Sequence, residues 1–177
     1  MSEKVLLGLC GSLRAASFNR LLMAEGARLW RGRFAEGDLR LPLYDGDLEA
    51  QGLPEPVIRL AQAVAGADAL LIACPEYNKG PPGLVKNALD WLSRVKPNPL
   101  WDKPCAIVSA TGGRAGGERA QTMLRAMLVP LRVEALGWPE VLVGQAEREF
   151  DSEGRLTSDQ YRQTLGALID RLAGAAG

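Results

Sequence analysis

The chain of 177 residues contains no histidine at all. That removes serine–histidine and cysteine–histidine nucleophile pairs and the commonest zinc ligand. Cysteine is scarce too: Cys10, Cys74 and Cys105 are odd in number, widely spaced and set in or beside apolar runs. They argue against a disulfide framework and read as small core hydrophobes. There is no excess of either charge, since 21 basic residues balance 21 acidic ones. No long-range field therefore draws the chain to nucleic acid or to an anionic membrane. No segment approaches the roughly 20 apolar residues that span a bilayer. The run Val5 to Cys10 is too short for a signal core and has no strongly basic start. A cytoplasmic protein with no nucleic-acid or membrane partner is the expectation, and its length suits one domain over residues 1–177.

What the sequence does contain is a series of short apolar runs, each closed by a loop rich in glycine, proline or hydroxyl residues. Val5 to Cys10, Ala69 to Cys74 and Pro104 to Ala110 are nearly uninterrupted, as strands buried on both faces are. Asp38 to Leu41 reads as a short second strand, and Val133 to Leu136 with Val141 to Val143 as one more strand or a broken pair. Between them, Ser17 caps a helix with Phe18, Leu21, Leu22 and Leu29 at helical spacing. Val57, Leu60, Ala61 and Val64 form one face of a second helix closed by Gly66. The spacing from Thr157 to Gln160 is that of a capping box, and Tyr161, Leu165, Leu168, Ile169 and Leu172 give the last helical face. The helix after Pro82 is apolar on two sides, one stripe carrying Trp91, which is read as an anchor for a second subunit.

Five strands alternating with helices predict an α/β fold with a doubly wound parallel sheet, order 2-1-3-4-5, and helices on both faces. In that order three loops meet at the carboxyl ends of the strands. The first, Gly11 to Arg20, offers the hydroxyls of Ser12 and Ser17, the amide of Asn19 and the guanidinium of Arg14 at a helix N-terminus, a set suited to a phosphate. The second, Pro75-Glu76-Tyr77-Asn78, is stiffened by the prolines that follow it. The third, Thr111 to Gly117, has four glycines and lets the backbone approach a flat ligand closely. Together they predict a planar, phosphate-bearing cofactor.

Two other phosphate chemistries fail on spacing. A thiolate phosphatase loop would need its arginine at the position of Ala16, and Arg14 stands too near Cys10. A Walker loop would need a lysine where Glu118 follows the glycines.

Gly11-Ser12-Leu13-Arg14 with Ser17 and Asn19, Leu41-Pro42-Leu43-Tyr44, Pro75-Glu76-Tyr77-Asn78 with Lys86 to Trp91, and Ser109-Ala110-Thr111-Gly112 with Gly116-Gly117 carry a resemblance. The chain resembles the NADPH-dependent FMN reductase family of flavodoxin-like proteins, which includes quinone and chromate reductases, from Val5 to about Leu172. The resemblance implies that Ser12, Arg14, Ser17 and Asn19 hold the FMN phosphate and that Pro75, Glu76, Tyr77 and Asn78 line the isoalloxazine. By the same likeness Ser109, Thr111, Gly112 and Gly113 close around the ring and ribityl side. It implies ping-pong hydride transfer from NADPH or NADH through FMN to a small-molecule acceptor, with no catalytic side chain of the protein and no metal. It also implies a homodimer or homotetramer. The family commonly has serine at the position of Gly80, so the flavin loop departs from its pattern there and at Pro81. Arg114 and Lys79 read first as solvated cations, with contact to a nicotinamide phosphate as the alternative. A flavodoxin-like carrier without turnover is the rival reading, although such carriers are usually strongly acidic and this chain is neutral.

Overall fold

The computed structural model describes residues 3–177. Its centre is a six-stranded, wholly parallel sheet in which β1 (Val5–Cys10) lies between β2 (Arg33–Gly37) and β3 (Ala69–Ala73). β4 (Pro104–Ala110) follows β3, and two short strands share its far side. β5 (Glu134–Ala135) pairs with Pro104 and Cys105, and β6 (Val141–Val143) pairs with Val108 to Ala110. The order 2-1-3-4-5 read from the sequence is the order observed, with the last strand broken in two around Gly137-Trp138-Pro139.

The unbroken apolar runs follow from helices on both faces. Leu7, Leu9, Leu70, Ile72, Cys105 and Ile107 point to one side, where α3 (Glu55–Ala65), α4 (Gly83–Leu92) and α5 (Glu118–Leu128) cover them. Leu6, Leu71, Ala106 and Val108 point to the other, beneath α1 (Phe18–Leu29) and α6 (Asp159–Ala175). Successive strand residues thus enter different cores, and no position in β3 or β4 is left for a polar side chain to reach water. α3 buries Val57, Leu60, Ala61 and Val64, and α6 buries Leu165, Leu168, Ile169 and Leu172, as their spacing predicts. The α6 cap is Ser158, whose hydroxyl accepts from the amide of Tyr161, while Thr157 Oγ1 donates to Glu149 instead.

Two expectations are corrected. The second strand is Arg33–Gly37, not Asp38 to Leu41. As an outer strand it needs no apolar run, and four of its five residues keep contact with solvent, so its signal in the sequence is faint. The second correction concerns Trp91, which is fully buried and cannot anchor a second subunit. Its Nε1 donates to the carbonyl of Pro42 at 2.8 Å, and its ring meets Tyr44 edge-on with centroids 5.1 Å apart. What α4 covers with that stripe is the chain's own segment Leu41 to Tyr44, which runs on into the short α2 (Gly46–Ala50). No helix among the described residues is long and apolar enough to cross a membrane.

Candidate functional site

The three loops singled out by sequence leave the carboxyl ends of β1, β3 and β4, and the register of the sheet puts those ends side by side. The first is tied to the second at its root. The amide of Gly11 donates to Ala73 at 2.8 Å, and a Cβ on Gly11 would stand 2.9 Å from Val85 and 3.0 Å from Pro75. Only a residue without a side chain allows so close an approach. Ser12 Oγ then accepts from the amide of Arg14 at 3.3 Å and from the hydroxyl of Tyr77 at 3.2 Å, joining the hydroxyl loop to the aromatic one.

α1 opens above this junction with no side chain capping it. Ser17 occupies the cap position, but its hydroxyl makes no capping bond. The first chain acceptor used is Ser17 O, taken by the amide of Leu21, so the amides of Phe18, Asn19 and Arg20 have no acceptor among the described residues. Three free donors and the positive end of the helix dipole stand together there. Arg14 is not extended into this space. Its Nη2 donates to Ala16 at 2.7 Å, and the guanidinium lies 5.5 Å from the centroid of Phe18, itself stacked on Phe150.

Asn19 is buried and fully engaged. Its Nδ2 donates to the carbonyl of Ala110 at 2.7 Å and its Oδ1 accepts from the amide of the same residue at 3.0 Å. The reason lies in the sheet, because the last β3–β4 pair is Ala73 with Val108 and β4 continues past it to Ala110. A buried strand end needs partners, and the Asn19 side chain supplies them in place of a missing strand residue. Its side chain is therefore spent on the fold, and what it still presents to the loop is its main-chain amide.

In the second loop Tyr77 and Gly80 exchange both main-chain hydrogen bonds, at 2.9 and 3.1 Å. The two residues between them, Asn78 and Lys79, hold φ of 49° and 65°, the left-handed pair of a tight reverse turn. A Cβ on Gly80 would lie 3.6 Å from the Met123 side chain, an ordinary contact, so this position has room for the serine of the family pattern. Glu76 turns toward α5. Its Oε2 accepts from the amide of Ala120 at 3.3 Å, and its Oε1 stands 4.0 Å from Arg119. The cap residue of α5 is Gly117, which has no side chain to offer, and Glu76 serves that helix start from another loop.

The third loop is closed from below. Ser109 has no solvent exposure, and its hydroxyl donates to the carbonyl of Gly116 at 2.5 Å while accepting from Gln121 Nε2 at 2.8 Å. Thr111 and Gly113 are laced to the segment after β6 by hydrogen bonds from Thr111 to Val143, from Ala146 to Thr111 and from Gln145 to Gly113, 2.9 to 3.1 Å long. The amides of Gly112 and Gly113 donate to nothing among the described residues, and Glu147 comes within 3.6 Å of where a Gly112 side chain would begin.

No thiol is activated here. Burial pushes Cys10 above the ordinary cysteine range, opposed in part by its hydrogen bond with the Ser12 backbone. Burial likewise drives Cys74 and Cys105 up to about 12. On the β2 side of the first loop lies a hollow of about 490 Å³ lined by Cys10, Leu13, Ala15, Arg20, Glu36 and Arg40 among others, and it includes none of Ser12, Tyr77 or Thr111.

The structure thus brings the first and second loops into contact through Ser12 and Tyr77, and the second and third through Glu76 at the start of α5. Asn19 and Ser109 face inward. Two further residues of the assembly have no individual role legible in the sequence. Asn87 holds the Leu41 to Tyr44 segment with both ends of its amide. Gln121 stands behind Ser109, and its one signal in the sequence is a polar residue on the face of α5 that also carries Ala120, Leu124 and Leu128.

A family model described as NADPH-dependent FMN reductase matches residues 5–148. The chain is 43% identical over 176 residues to an NAD(P)H-dependent FMN reductase of Pseudomonas aeruginosa, covering 97% of this chain and 95% of that one. It is 36% identical over 167 residues to a 2-hydroxy-1,4-benzoquinone reductase of a Burkholderia species, with 92% and 91% covered. Among solved structures, FerB, a flavoenzyme NAD(P)H:(acceptor) oxidoreductase from Paracoccus denitrificans, is similar at a TM-score of 0.89 and 30% identity over 98% of this chain and 97% of the other.

Proposed function

The chain belongs to the NADPH-dependent FMN reductase family, and from that premise we propose that it reduces quinones at the junction of its three loops. It is an NAD(P)H-dependent oxidoreductase with a flavodoxin-like fold and FMN as its cofactor, acting on a small-molecule acceptor. The finer reading of the acceptor as a quinone rests on the benzoquinone reductase among its relatives.

The residues present fit a phosphorylated flavin. Support comes first from the amides of Phe18, Asn19 and Arg20, which have no acceptor among the described residues, beside the hydroxyls of Ser12 and Ser17. A phosphate is the group such donors are suited to hold. In this reading Asn19 contributes its amide and not its side chain, and Arg14 adds positive charge near the phosphate from its place on Phe18. Pro75 to Asn78 form the wall for the ring, fixed by the Tyr77–Gly80 turn and by the bond from Tyr77 to Ser12. Gly112 and Gly113 bring unpaired amides to the opposite side, with Thr111 holding their loop and Ser109 supporting it from within.

When bound, FMN supplies the passage of hydride from nicotinamide to acceptor. The protein's part is to grip, orient and exclude water. No histidine is available for proton transfer, Glu76 is occupied at the start of α5, and the buried thiols stay protonated. Within the same proposal two subunits pair, a partner covering apolar side chains left in solvent such as Leu43 and Val129. A monomer by light scattering would remove that part.

The phosphate reading is tested by comparing FMN with riboflavin, which lacks the phosphate. Riboflavin is expected to bind about a hundredfold more weakly, as loss of several charge-assisted hydrogen bonds requires. Equal affinities would contradict the role given to α1. Steady-state oxidation of NADPH or NADH with 1,4-benzoquinone should depend on added FMN, and a loaded protein without turnover would remove the quinone assignment.

A further inference from the structure

Gln121 is a wholly buried amide in the first turn of α5, a placement that is destabilising unless each polar atom finds a partner. Every one does. Nε2 donates to Ser109 Oγ at 2.8 Å and to the carbonyl of Val141 at 2.9 Å, and Oε1 accepts from Arg125 Nη1 at 3.2 Å. These three bonds fix which way the amide faces.

The consequence falls on Ser109. With Gln121 donating to its oxygen, the Ser109 proton has one good acceptor left, the carbonyl of Gly116 at 2.5 Å. There the chain makes its return from the glycine loop into α5 through two left-handed residues, Gly116 at φ 62° and Gly117 at 94°. The return lies flat on its support. A Cβ on Gly117 would be 2.7 Å from Ser109 Oγ, and one on Gly116 would be 2.5 Å from the main chain of Leu142. With no slack, the Ser109–Gly116 bond sets how high the loop sits above the end of β4.

We propose that Gln121 is a positioning residue for the cofactor loop, acting through Ser109 to hold the free amides of Gly112 and Gly113 at the height FMN requires. The assignment rests on the FMN-binding reading above. It replaces the expected role of Ser109 as a direct contact with that of a strut beneath the loop. The strut continues outward, since Arg125 also donates to Leu136 at 3.5 Å and pairs with Glu140 at 3.7 Å, both in or beside the break between β5 and β6. The broken edge and the glycine loop are thus parts of one polar construction.

The test is titration of flavin-stripped protein with FMN, following quenching of FMN fluorescence and the visible absorption band of the bound flavin, for the parent, Ser109→Ala, Gln121→Met and the double variant. Each single variant is expected to weaken FMN about tenfold and to shift the band in the same direction, and the double variant to lose about tenfold again in total rather than a hundredfold. Parent-like affinity and spectrum in Gln121→Met, or a hundredfold loss in the double variant, would overturn the assignment. A parent protein that takes up no FMN would instead defeat the FMN reading, a result visible before any variant is made. Ser109→Ala removes a single oxygen. Should Gln121→Met not fold, Gln121→Glu, which keeps the size and removes the Nε2 donor to Ser109, takes its place, and amide hydrogen exchange at residues 111–117 decides: about tenfold faster exchange than in the parent upholds the assignment, and unchanged exchange overturns it.

Discussion

Lys79 holds a backbone conformation that suits glycine better than lysine. With φ at 65° it sits beside Asn78 at 49° in the turn of the second loop, and asparagine tolerates that region far better than lysine does. Lys79→Gly is therefore expected to stabilise the protein by about 0.5–1 kcal/mol, relief of strain outweighing the extra freedom of the unfolded chain. Urea denaturation measures it, and a stability equal to or below the parent would show that no strain is stored there. Residue types were legible in the sequence where residue directions were not. Ser12, Ser17 and Asn19 read as polar groups of a loop opening a helix, and Ser109 as one near a strand end. Whether a given amide faces ligand or backbone depends on how far neighbouring strands extend. β4 outruns β3, so Asn19 is drawn inward to Ala110. Glu76 is likewise claimed by a helix whose glycine cap cannot serve itself.

At the scale of elements, β1, β3 and β4 and the faces of α3 and α6 could be read directly, because burial on two sides leaves long apolar runs and burial on one side leaves helical periodicity. β2 escaped because an outer strand carries neither mark. The helix α4 misled because two apolar stripes show that something covers both, without showing that one cover is the chain's own loop. That loop hangs on three hydrogen bonds: Asn87 to Pro42 at 2.9 Å, Tyr44 to Asn87 at 2.8 Å and Trp91 to Pro42 at 2.8 Å. Trp91→Phe keeps most of the ring and removes one donor, leaving Pro42 with the Asn87 bond alone. A loss of about 1–2 kcal/mol is expected in chemical denaturation. No loss would mean that the indole serves only to fill space.

For the molecule as a whole, three protonated thiols in two cores link folding to alkaline pH. Burial is the leading cause at each, with Cys74 and Cys105 at about 12 and Cys10 raised. An unfolded thiol releases its proton near pH 8.5, and the native state retains it. The native state then binds more protons, so the contribution of these thiols is complete below about pH 8.5 and declines as pH climbs toward 12. Lys103, lowered by burial, acts with the opposite sign and partly offsets it. Melting temperatures between pH 8 and pH 11 should fall less steeply in Cys105→Ala than in the parent. Identical slopes would mean that the thiol ionises without unfolding. The two borders of the sheet carry a last consequence. One is β2, five residues long with Arg33 and Glu36 turned to solvent, and the other is split into pieces of two and three residues on either side of Pro139. Neither offers the long, uncharged ribbon that strand-by-strand aggregation requires, so both borders of the sheet are poor templates for fibrous growth.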